Sequence, residues 1–109
     1  MPVAIVYLNK KLCGTRTELL EAECRYFAGA YGFGIARVVV ECEIDVLAWT
    51  LRKSELLRCD AMVTPTVEHI GFRAPVVLEH LELMVLHPYG RYRRGELDRW
   101  IPAAPEVYR

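Results

Sequence analysis

The chain has 109 residues, 53% of them hydrophobic and 26% charged, which suits one globular domain and excludes a disordered chain. Fourteen basic and fourteen acidic residues give a formal charge of zero, so no global field attracts nucleic acid or anionic lipid. No apolar run approaches the roughly 18 residues of a membrane span, and four dispersed cysteines without a C-x-x-C pair predict reduced thiols, no zinc and a cytoplasmic location.

In chain order, "PVAIVYL" (2 to 8) is β-branched and apolar throughout, as expected of a strand buried on two faces of a parallel sheet. Its start carries no basic leader ahead of the apolar stretch, so no signal peptide is expected. "TRTE" (15 to 18) has the capping-box pattern, with the Thr15 hydroxyl and Glu18 placed to cap a helix that stops at Gly32-Phe33-Gly34. "IARVVVE" (35 to 41) predicts a second strand. Asp45 is the expected N-cap of a helix to about Arg58, burying Val46, Leu47, Trp49, Leu51, Leu56 and Leu57. Within it Ser54, the only serine, is expected on the solvated face. "DAMVT" (60 to 64) predicts a third strand, ended by Pro65. Pro75 then opens a strongly apolar helix expected to run to His87.

Helical links between buried strands imply right-handed crossovers. The predicted fold is α/β and three-layered, with a mostly parallel sheet of three to four strands flanked by helices. Residues 1–88 form the expected domain. Residues 89–109 form a Pro/Arg/Tyr-rich tail, packed on that domain or on a partner, with five arginines against three carboxylates.

Ligands in such a sheet sit beyond the carboxyl ends of the strands. Lys10, Lys11 and Arg16 surround a predicted helix start and form an anion-binding candidate. Cys13 lies among these cations, but its spacing to Arg16 is too short for a phosphatase loop. Glu68 and His69 are neighbours whose side chains diverge, which weakens an acid/base pair. His80 and His87 have no metal-like spacing. Gly32-Phe33-Gly34 precedes a strand, whereas a dinucleotide turn must follow one. In the tail, Tyr89 and Tyr92 alternate with Arg91, Arg93 and Arg94, a nucleic-acid candidate that pairs stacking with phosphate contacts. On the last predicted helix, Val77, Leu81, Met84 and Val85 exceed what one face can bury, so they are candidates for a subunit interface.

Three segments carry a resemblance. "AIVYLNKK" is similar to a strand motif A-I-Y-x-R-V-S. "LEAECRYFAGAYGFG" is similar to L-E-x-Q followed by L-x-x-Y-A-x-x-x-G. "CDAMVTPTVEHIGF" is similar to C-D-A-L-V-V-x-x-L-D-R-L-G-R. In this order, over roughly residues 3 to 73, they resemble the N-terminal catalytic domain of the serine recombinases, the resolvases and invertases.

The departures fall on the chemistry. The resemblance places a nucleophilic serine between Asn9 and Lys11, where this chain has none. Glu68 keeps the motif's acid, but His69 and Phe72 stand where it has phosphate-clamping arginines, and Glu23 stands at its glutamine. Phosphodiester exchange needs a nucleophile and fixed cations, so Lys11, Glu68, His69 and Phe72 mark a degenerate site. The separate helix-turn-helix domain that such enzymes use has no room in 109 residues.

The expectation is therefore a non-catalytic, self-associating interaction or regulatory module, a dimer or a partner of another protein, without cofactor or metal. A DNA-associated protein using the tail is the alternative. A small-anion or nucleotide-binding enzyme using the 9–16 loop is the third reading.

Overall fold

A computed structural model of the chain describes residues 1–96. Strand β1 (Val3–Asn9) leads into a one-turn helix α1 (Lys10–Cys13), a 3-10 turn and helix α2 (Thr17–Ala30). Then come β2 (Gly34–Glu41), α3 (Leu47–Leu56), β3 (Ala61–Thr64), two 3-10 turns, α4 (Ala74–His80), β4 (Glu82–Val85) and β5 (Gly90–Tyr92). The sheet order is β2-β1-β3-β4-β5. β2, β1, β3 and β4 run parallel, and β5 is antiparallel to β4. The protein is thus α/β, with a mostly parallel five-stranded sheet flanked by helices.

Alternation along the central strands sorts the core into two layers. Ala4, Val6 and Leu8 of β1, Ala61 and Val63 of β3, and Met84 of β4 face α2, where Leu20, Cys24 and Ala28 cover them. Ile5 and Tyr7, Met62, and Leu83 and Val85 face the other way, onto Leu47 and Leu51 of α3 and Val77 and Leu78 of α4. An interior strand of such a sheet must be apolar on both faces, as β1 is.

Several local expectations are corrected. The capping box does not form. Asn9 caps α1 instead, its side chain accepting the Lys11 N–H at 3.0 Å, and Gly14 breaks the chain at φ +57° before α2 begins at Thr17. That conformation favours glycine, so the helix start is displaced by the turn. In α3 the buried stripe is Leu47, Thr50, Leu51 and Ser54, whereas Trp49, Leu56 and Leu57 are exposed. Ser54 is 1% exposed, not solvated. Its hydroxyl donates to the Leu51 carbonyl at 2.7 Å, and the Thr50 hydroxyl to that of Val46 at 2.8 Å, so both polar groups are satisfied inside the helix.

The largest correction concerns 75–87. The expected helix stops at His80, Leu81 is extended (φ −137°, ψ 160°), and Glu82–Val85 form the strand beside β3. A short apolar run buried on two faces cannot be told from a buried helix by periodicity. The chain then turns so that Gly90–Tyr92 extend the sheet antiparallel to β4.

A polar network and a crevice at the strand ends

The carboxyl ends of β1, β2 and β3 converge on a chain of polar side chains. The Tyr7 hydroxyl donates to Glu41 Oε1, and Asn9 Nδ2 donates to Glu41 Oε2 at 3.1 Å. Arg73, from the turn after β3, donates through Nη1 to Glu41 Oε1 and Asp45 Oδ1, each at 2.8 Å. Its Nε reaches the Ile70 carbonyl and its Nη2 the His69 carbonyl, each at 2.9 Å. The guanidinium also lies 5.8 Å from the centre of the Tyr7 ring. Asp45 holds the start of α3 as well, accepting the Leu47 N–H at 2.9 Å.

This network shifts its members. Burial pushes the Tyr7 phenol above its ordinary value, and the Glu41 carboxylate adds to the shift. Burial opposes the Arg73 charge, but Glu41, Tyr7 and Asp45 more than offset it and raise its pKa.

His69 joins the network to the opposite side of the sheet. Its ring is 2% exposed and its Nδ1 accepts the Asn9 N–H at 2.8 Å. An acceptor at Nδ1 places the ring proton on Nε2. Burial lowers the His69 pKa against the opposing pull of Glu68 and Glu41, so the ring is held neutral. Nε2 has no hydrogen-bond partner among the described residues, and no described buried side-chain nitrogen or oxygen is left unsatisfied. That nitrogen therefore opens on the crevice the ring lines, a cavity of about 560 Å³ between α2 and the loop after β3.

The sequence candidates are distributed over this end of the sheet. Lys10 and Lys11 border a separate groove of about 650 Å³ with Val40, Cys42 and Ile44, whereas Arg16 lines the His69 crevice. The three cations do not form one anion cradle. Glu68 is exposed, and hydrogen bonds from the Thr66 side chain and from backbone lower its pKa. Phe72 is 73% exposed, while the next residue, Arg73, turns inward. Cys13 is buried, and burial raises its thiol pKa despite Thr17, Lys10 and Arg16, so it is not an activated nucleophile. Cys42 is exposed.

The interface candidates are interior. Val77, Leu81, Met84 and Val85 are all at most 2% exposed within this chain, so they present no surface to a partner. The basic–aromatic strip is folded into the β5 edge. Tyr89 stacks on Tyr31 at 5.8 Å and tilts against Phe27 at 5.4 Å. Arg91 pairs with Glu82, Arg94 Nε donates to the Glu79 carbonyl at 3.1 Å, and the Arg93 N–H donates to Glu96 at 3.1 Å. Tyr92 lies in β5. The remaining tail residues, 97–109, lie outside the described residues.

The chain matches no family model, no curated protein and no solved structure.

Sequence reasoning missed Tyr7, Asn9, Glu41, Asp45 and Arg73 as one network. Asn9 and Glu41 did carry a signal: each is a polar residue closing an apolar strand at the end where sites form. Arg73 was hidden one position beyond the motif's last residue.

Proposed function

We propose that this protein is a non-catalytic α/β module, with a scaffold similar to the serine recombinase catalytic domain, that works by binding other molecules. The observation that carries the reading is the state of Arg73. It follows the degenerate motif directly in the chain, and its donors are committed to two carboxylates and two carbonyls of its own chain. A guanidinium so neutralised offers no clamp to a phosphodiester, which needs fixed positive charge as its transition state forms. His69 adds a neutral donor and no charge. Incubation with supercoiled plasmid, followed by a denaturing gel, is expected to show no nicking and no covalent protein–DNA joint. A joint of either kind would overturn the reading.

Self-association is the form of binding we favour, through the outer edge of β2 rather than through α4. Among the described residues, β2 is an eight-residue edge strand with a strand neighbour on one side only. Such an edge is a template for another strand. A second copy supplies a strand of the same length. Light scattering is expected to give a dimer mass for the native chain. Ala36→Lys, which puts a charge at an exposed edge position, is expected to shift it toward monomer. A monomeric native chain at micromolar concentration removes this part of the proposal.

A further inference from the structure

The crevice beside His69 occupies the reversal point of the sheet. β1 connects to β2 on one side, and β3 lies on its other side, so the gap between the carboxyl ends of β1 and β3 is where open α/β sheets take ligands. Its volume, about 560 Å³, is within the rough 300–1,000 Å³ range of small-molecule sites.

One wall comes from the α1–α2 region, with Leu12 in α1, Arg16 at the N-cap of α2, and Leu20 and Glu23 on α2. Arg16 and Glu23 are thereby separated by roughly 10 Å of helix. Arg16 makes no hydrogen bond or ion pair among the described residues. Glu23 meets the His87 ring at 3.3 Å, so its carboxylate already takes a nitrogen partner on the crevice side. The opposite wall holds Pro65, Thr66 and Glu68 around the buried His69 ring.

The lining is bipolar. Arg16 supplies a cation and His69 the Nε2–H of a neutral imidazole, both donors. Glu23 supplies a carboxylate, and Leu12, Leu20 and Pro65 are the apolar members of the same lining. Glu68 makes a second carboxylate in the lining, and two carboxylates against one arginine disfavour a dianion such as phosphate.

We propose that this crevice binds a small linear zwitterion. Its carboxylate meets Arg16 and the His69 Nε2–H, its ammonium meets Glu23, and its methylenes lie on Leu12, Leu20 and Pro65. The proposal is independent of the assignment as a non-catalytic module.

The test is calorimetric titration of the full chain with ε-aminocaproate, with caproate, hexylamine and inorganic phosphate as controls, and NMR shift mapping in parallel. The expected result is saturable ε-aminocaproate binding that perturbs His69, Leu20 and Thr66. Caproate and hexylamine should bind about tenfold or more weakly, since each loses a charged hydrogen-bonding end. Arg16→Gln and Glu23→Gln lie outside the Tyr7–Arg73 network, and each should weaken binding by about tenfold or more while leaving the spectrum of the folded chain intact. Absence of saturable binding overturns the proposal. So does tighter binding of phosphate than of ε-aminocaproate, which would make this an anion site, and so does unchanged affinity in the Glu23→Gln chain.

Discussion

Arg73 and Glu41 illustrate how much one ion pair can matter when it is enclosed. Their side chains are 26% and 11% exposed, and Tyr7 and Asn9 complete the hydrogen bonding of the carboxylate. Removing the guanidinium leaves a buried carboxylate without its counter-charge, so Arg73→Ala is expected to lower unfolding stability by roughly 3–5 kcal/mol. Asp45, 62% exposed, shares the same guanidinium in a solvated setting, and Asp45→Asn should cost less than about 1 kcal/mol. Urea denaturation of the two variants measures the difference, and equal losses would show that enclosure is not what makes the pair strong. The thiols separate on the same principle. Burial raises Cys13 and drives Cys24 up to about 12, whereas Cys42 is exposed. Iodoacetamide under native conditions should label Cys42 first, and peptide mapping reads the order.

The elements show where sequence is readable and where it is not. β1, α2, β2 and β3 were legible because each is set by local signals: β-branched runs, a helical stripe, and a glycine or proline stop. β4 was not. Glu82–Val85 is four residues long, follows α4 after Leu81 alone, and buries Leu83, Met84 and Val85 on its two faces, so its apolar pattern continues the helix before it. What makes it a strand is pairing with β3, a long-range contact that no local window contains. The candidate site was half legible for a related reason. His69 and Glu68 stood inside a recognisable segment, but Tyr7, Asn9, Glu41 and Arg73 become one network only when three strand ends meet. The corrected β4 has a direct consequence. Leu83→Ala is expected to cost about 2–5 kcal/mol, as for a buried core leucine, and Met84→Glu to prevent folding. Circular dichroism and thermal melts decide this; a folded, merely dissociated Met84→Glu chain would restore the residue to an interface.

Over the whole molecule, the two groups that flank the β3 loop give stability a common pH dependence. His69 is held below its ordinary value of 6.5 by burial, and Glu68 below 4.5 by the hydrogen bonds it accepts. In each case the unfolded chain binds the proton at a higher pH than the folded chain. Between the two pKa values the unfolded state therefore carries more protons, and stability rises with pH. The His69 contribution is complete above 6.5 and is lost as pH falls through the folded value; that of Glu68 is complete above 4.5 and is lost below it. The structural cause at His69 is specific. A proton on Nδ1 would face the Asn9 N–H, replacing a hydrogen bond at the end of β1 with two opposed donors. Urea midpoints should fall as pH is lowered from neutral to about 5. His69→Gln keeps an acceptor for that N–H but cannot titrate, so it should flatten the slope across this window even if stability at neutral pH is reduced. An unchanged slope in the glutamine variant would move the acid sensitivity to other groups. A slope abolished by it would identify His69 as the residue through which acid reaches the junction of crevice and polar network.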